Sequence, residues 1–160
     1  MAASTTEEEL CRIVLDGLAS RTGATFGGVL IYPVSGRDGE PASLEPAAVF
    51  GDRPATMFST FLTRIAVDDQ DAILAQDISG HASLASQESL HEIQAQSAIC
   101  APVRHAGQVL GVIHLYSEKG ATPFSQAGLE FVLAVADQLG DQLSPLRERK
   151  QLEAGLDRVR

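Results

Sequence analysis

Tryptophan and asparagine are absent from the 160 residues, and only two are cysteine. Cys11 and Cys100 lie far apart in separate apolar contexts with no CxxC spacing, which excludes a disulfide framework and a cysteine-built zinc site. Both read as reduced core residues. Aromatic residues make up 5% of the chain and nowhere interleave with clustered Lys or Arg, and the net charge is −9. A nucleic-acid backbone would find neither stacking platforms nor counter-charge. No run approaches the roughly 18 uninterrupted apolar residues of a membrane helix. The N-terminus carries Glu7-Glu8-Glu9 where a secretory signal would be basic. The chain is therefore expected in the cytoplasm, with no nucleic-acid partner and no membrane. Lysine is scarce too, two against ten Arg, a skew expected of a GC-rich bacterial genome and silent on function. What is present, 44% hydrophobic and 21% charged residues, is the composition of one globular domain with at most a helical extension.

Overlapping capping boxes, Thr5-x-x-Glu8 and Thr6-x-x-Glu9, open a first amphipathic helix whose apolar residues Leu10, Ile13/Val14 and Leu18 recur every three or four positions until Gly23. Thr25 to Tyr32, rich in β-branched and aromatic types, predicts a strand ending at Pro33. The turn-forming stretch Ser35 to Gly39 then leads to an antiparallel partner over Ala47 to Phe50. Met57/Phe58, Phe61/Leu62 and Ile65 predict a second helix, closed by the solvated acidic loop Asp68 to Asp71, and Ala72 to Ala75 a brief strand. Residues 79–96 are polar, with Leu84, Leu90 and Ile93 as sparse anchors, and read as a weak helix or lid. The strongest strand signals are Ala98 to Val103 and Val109 to Tyr116, expected as central strands joined by a hairpin of about four residues around Gly107. From Ser125 a long helix follows. Ser144-Pro145 either kinks it or starts a new one. Leu139, Leu143 and Leu146 are spaced four and three, as are Leu152, Leu156 and Val159, and the seam changes face near Pro145. Residues 147–160 carry too thin an apolar stripe for a globular core and are expected to find a partner helix.

Signature motifs for catalysis are missing: no P-loop, GxGxxG, GxSxG, HExxH or EF-hand loop occurs. His81, His91, His105 and His114 have spacings that fit no helix-borne metal pair. His114, inside a strand between Ile113 and Leu115, needs partners for both ring nitrogens and reads as a satisfied core histidine or one facing a cavity. Cys100 has no adjacent cation before Arg104 and reads as packing.

The segments Ser97-Ala98-Ile99-Cys100-Ala101-Pro102-Val103 and Gly107-Gln108-Val109-Leu110-Gly111-Val112-Ile113-His114-Leu115, followed by Phe124 and the helix from Ser125, resemble the closing motif of GAF domains, small-molecule sensory modules of signalling proteins. Pro102 then needs an edge position or a bulge, and Gly111 a close approach by neighbouring backbone or by the terminal helices. The resemblance implies an α/β fold of the α+β type. Its three layers would be a central antiparallel sheet of five or six strands, the first and last helices on one face, and the second helix with the lid on the other. It implies a sensor domain over 1–144 and a signalling helix over 145–160. Cyclic-nucleotide-binding members carry Asn-Lys, Phe and an acidic pair after the last strand. Here Lys119 and Phe124 match, but Glu118 and Gly128-Leu129 stand in the other places, which argues against that ligand. No cysteine neighbours His91 in the lid, which argues against a bilin.

The expected function is a regulatory sensor, not an enzyme and without a cofactor. It would bind an unidentified small molecule or partner and signal through a homodimer of terminal helices to an output domain. The chain is expected to be a fragment of such a protein. Expected pocket residues are Phe50, Phe58, Ile78, Leu90, His91, Cys100 and His114; expected dimer-helix residues are Leu139, Leu143, Leu146, Leu152, Leu156 and Val159. Two alternatives stand beside it: a thiol enzyme resembling the family's free methionine sulfoxide reductase, and a dimerisation module without a ligand.

Overall fold

A computed structural model describes residues 6–33, 43–76, 95–118 and 120–159. Of the two overlapping capping boxes, Thr6 caps helix α1 (Glu7–Thr22), its hydroxyl accepting from the Glu9 amide at 3.1 Å. Three glutamates then lie in the positive first turn of the helix, and Gly23 ends it in the left-handed conformation. Strands β1 (Phe26–Ile31), β2 (Glu45–Phe50), β3 (Ile73–Ala75), β4 (Ala95–His105) and β5 (Gln108–Glu118) form one sheet in the order β2-β1-β5-β4-β3, every neighbouring pair antiparallel. β5 is central, as expected, and β4 lies between it and the three-residue edge strand β3.

Helix packing on both faces explains why β1 and β5 read as near-continuous apolar runs rather than alternating ones. Val29, Ile31, Ile99, Ala101, Ile113 and Leu115 face α1 and the last helix, α3 (Gln126–Val159). Phe26, Leu30, Ala98, Cys100, Val112 and Tyr116 face α2 (Thr60–Asp69). The β4–β5 hairpin is tighter than expected: two residues, Ala106 and Gly107, both at positive φ, turn the chain so that His105 pairs with Gln108. Pro102 lies where β4 is locally an edge, since β3 reaches only to the level of Cys100. Gly111 approaches the β1 backbone at Leu30 and Ile31, not a terminal helix.

Several expectations need correcting. Met57 and Phe58 precede α2: residues Ala55–Met57 form one 3₁₀ turn, Phe58 is extended, and Ser59 caps the helix by accepting from the Leu62 amide at 3.1 Å. Of the two alternatives at Ser144-Pro145, a new helix does not start there, because α3 runs through Pro145 as one helix. Leu139 and Leu143, expected in a dimer seam, are 1% and 0% exposed because α3 lays them on its own sheet. Beyond Pro145 the helix still touches the body. Arg147 is buried, its guanidinium donating to the Tyr32 and Leu110 carbonyl oxygens and facing the Glu7 carboxylate at 3.8 Å, which Lys150 also faces. The loop at 35–39 lies outside the described residues, as does the lid except for Ala95 and Gln96, which open β4.

Candidate functional site

Register brings the site together. Cys100 on β4, His114 on β5 and Gly28 on β1 are directly paired across the sheet, and all three open toward α2. Tyr116, two residues after His114, points the same way. At Gly28 a Cβ would lie 2.8 Å from the Phe58 ring, so the absence of a side chain there is what lets Phe58 settle onto the sheet. The Phe58 ring stacks on His114 at 5.2 Å, and Phe26 stacks on Tyr116 at 4.9 Å.

Beneath these rings runs a closed chain of hydrogen bonds. The Ser59 amide donates to the Tyr116 hydroxyl oxygen at 2.8 Å, and the Thr63 hydroxyl donates to the Ser59 carbonyl at 2.9 Å. His114 Nε2 lies 2.8 Å from Thr63 Oγ1, and Nδ1 lies 2.8 Å from the Tyr116 hydroxyl. Because the one proton of Thr63 is committed to Ser59, Oγ1 must accept, so Nε2 carries the imidazole proton. Nδ1 then accepts from Tyr116. Every group is satisfied with the ring neutral. The Cys100 sulfur, 3.7 Å from Nε2, sits beside the same N–H.

Charge is excluded here. Burial lowers the His114 pKa from 6.5 to about 3, because an imidazolium would lose its hydration with no carboxylate beside it among the described residues. Burial raises the Cys100 thiol and, with the Cys100 thiolate as the next contribution, raises the Tyr116 phenol; only the Ser59 amide works the other way on Tyr116. Beside the chain lies a cavity of about 210 Å³ lined by Leu30, Leu44, Pro46, Ala55, Thr56, Phe58, Thr60 and Thr63. A wider open cleft of about 470 Å³, between Arg21, the 122–125 turn and Phe131, lies at the far end of α1.

Of the expected pocket residues, the structure joins Phe58, Cys100 and His114. Phe50 is on the other face, half-buried against the terminal-helix cluster. Ile78, Leu90 and His91 lie outside the described residues. Ser59, Thr63 and Tyr116 were missed, because the α2 contacts that join them to His114 are set by the tertiary fold. His105 is the last residue of β4, its Nδ1 2.9 Å from Asp141 Oδ1. The closing motif has a physical basis: Ser97 Oγ accepts from the Phe124 amide at 3.0 Å and bonds Ser117, tying the β5–α3 connection to β4.

An antiparallel sheet with the terminal helices on one face and a buried polar cluster under α2 on the other defines an α+β fold. The chain belongs to the GAF domain family, whose model matches residues 4–144. Solved structures agree on the fold. A methyl-accepting chemotaxis protein, residues 122 to 287, is 15% identical with a TM-score of 0.69, the match covering 92% of this chain and 94% of that one. The second GAF domain of DevS from Mycobacterium smegmatis is 19% identical with a TM-score of 0.66, covering 91% and 99%. A type II free methionine-R-sulfoxide reductase from Thermoplasma acidophilum is also 19% identical with a TM-score of 0.66, covering 89% and 92%. No curated protein matches the sequence. No helix among the described residues is long and apolar enough to cross a membrane.

Proposed function

We propose that this GAF domain is a sensor module: a small molecule binds on the α2 face, and its occupancy passes through α1 and α3, paired between two copies of the chain, to an output domain. The observation that supports this is the neutral, fully bonded Ser59–Tyr116–His114–Thr63 chain standing beside a cavity. Thr63 belongs to both, so a ligand contacting it perturbs bonds that fix α2 to the sheet. The cavity, at about 210 Å³, is below the roughly 300–1,000 Å³ of drug-sized sites. Its ligand is therefore small and largely apolar, with one polar group for the threonine hydroxyls. The dimer seam is drawn on Leu146 and Leu152 of α3, with Ile13 of α1 66% exposed and Leu152 70% exposed.

Thiol catalysis is the poorer reading. Cys100 is a buried neutral thiol, and Cys11 lies on the opposite face of the sheet with its pKa pushed up to about 12 by burial and then by Glu7 and Glu8. The chain has no other cysteine to resolve a sulfenic acid. Turnover of free methionine sulfoxide with dithiothreitol, lost in Cys100→Ser, would reverse that judgement.

Thermal-shift screening of a metabolite library tests the sensor reading. A ligand at ~100 times its Kd adds about 2.7 kcal/mol, which raises Tm by roughly 5 to 10 °C for a chain of this size. The expected hit loses its shift in Thr63→Val. A library and cell extract that leave Tm unmoved, with native mass spectrometry finding only bare polypeptide, would overturn it.

A further inference from the structure

The sheet separates α2 from α3, so any relay between them needs a connection around its end. One is present where the β4–β5 hairpin projects past the sheet. Arg104, next to last in β4, holds the Asp137 carboxylate of α3 with two parallel bonds, Nε to Oδ1 at 3.1 Å and Nη2 to Oδ2 at 2.9 Å. Its remaining nitrogen, Nη1, donates to the carbonyl oxygen of Gln70 at 2.6 Å. Gln70 is the left-handed cap of α2, and its own side-chain amide donates back to the Gly107 carbonyl in the hairpin turn at 3.2 Å. The main chain of Arg104 is held independently. A Cβ at Gly140 would collide with the Arg104 carbonyl oxygen, so α3 meets the hairpin backbone with no side chain between them. One turn further along the exposed side of α3, Asp141 binds His105.

We propose that Arg104 is a tie between the two faces, through which the C-terminal end of α2 sets the position of α3. A guanidinium suits this task because its planar fork occupies a carboxylate and still leaves a donor directed elsewhere; an ammonium presents one point charge and cannot hold both at these positions. The inference deepens the sensor reading by naming its relay, yet it concerns the empty protein, so it is tested without a ligand.

Hydrogen exchange read by mass spectrometry on the full chain is the experiment. Asp137→Asn alters a half-exposed carboxylate on α3. It is expected to raise exchange at residues 69–72, at the end of α2, about fivefold, the factor that corresponds to losing one hydrogen bond of about 1 kcal/mol. Arg104→Gln and Arg104→Lys should give the same increase, and Asp137→Asn added to Arg104→Gln should add nothing at 69–72. Amides of β5 from 112 to 115 serve as the control for global destabilisation and should not change. If the response to Asp137→Asn is confined to α3 and the hairpin, or if it adds to that of Arg104→Gln, there is no tie. Either failure leaves the ligand screen standing, and an empty screen leaves the exchange result standing.

Discussion

Lowering the pH should destabilise this domain through a single side chain. The unfolded His114 titrates near 6.5, whereas the folded ring refuses a proton until about pH 3. Between those values the unfolded state binds one more proton than the folded state, so stability falls as pH falls below 6.5; the loss is complete below the folded value. The slope is about 1.4 kcal/mol per pH unit, so about 3 kcal/mol is gone by about pH 4.5. That is a large part of the roughly 5–15 kcal/mol that holds a domain folded. The structure explains why the ring cannot adapt: a proton on Nδ1 would meet the Tyr116 hydroxyl, which already accepts from the Ser59 amide and would have to turn its own hydrogen away. Urea unfolding followed by circular dichroism across this range, in the native sequence and in His114→Gln, isolates the effect, because the two chains differ at that side chain alone. The native sequence should lose stability more steeply, by about one proton's slope. Equal slopes, or an imidazolium signal from His114 in the folded protein at about pH 5.5, would refute the reasoning.

Two further outcomes follow from packing and from the terminal helix. Gly140→Ala should destabilise by about 1–3 kcal/mol, measured as a lower urea midpoint, although alanine is the better helix former by about 1 kcal/mol; a stabilised variant would mean that α3 does not press on the Arg104 carbonyl. Deleting residues 151–160, which removes Leu152, should weaken self-association in sedimentation velocity, and a truncated chain of unchanged dimer mass would eliminate that segment as the contact.

The strands were legible because Val, Ile, Phe and Tyr cluster between turn residues, and the closing motif fixed β4, β5 and the start of α3. Which way each side chain faces was not, because helices cover both sides of the sheet and alternation is lost. Phe50 packs on the terminal-helix face rather than the α2 face for that reason, while Phe58, expected inside a helix, precedes it and packs on His114. His114 announced itself as a buried polar residue. Its partners Ser59 and Thr63 come from a distant helix, and nothing local marks that pairing. Leu139 and Leu143 repeat like a coiled-coil seam, yet the same spacing lays a helix on a sheet. Burial of Arg147 defied the pattern altogether, since a cation is admitted to the interior by carbonyls whose positions only the tertiary fold supplies.

That arginine bears on where the polypeptide can be spliced. The family model stops at residue 144, three positions short of it, and a graft cut there would remove the guanidinium that donates to the Tyr32 and Leu110 carbonyls and both cations that face the Glu7 carboxylate. A junction placed after Lys150 preserves all of these contacts. Chimeras that borrow this domain should therefore inherit the six further residues to Lys150, about 1.7 helical turns, and the phase of whatever follows must be counted from there.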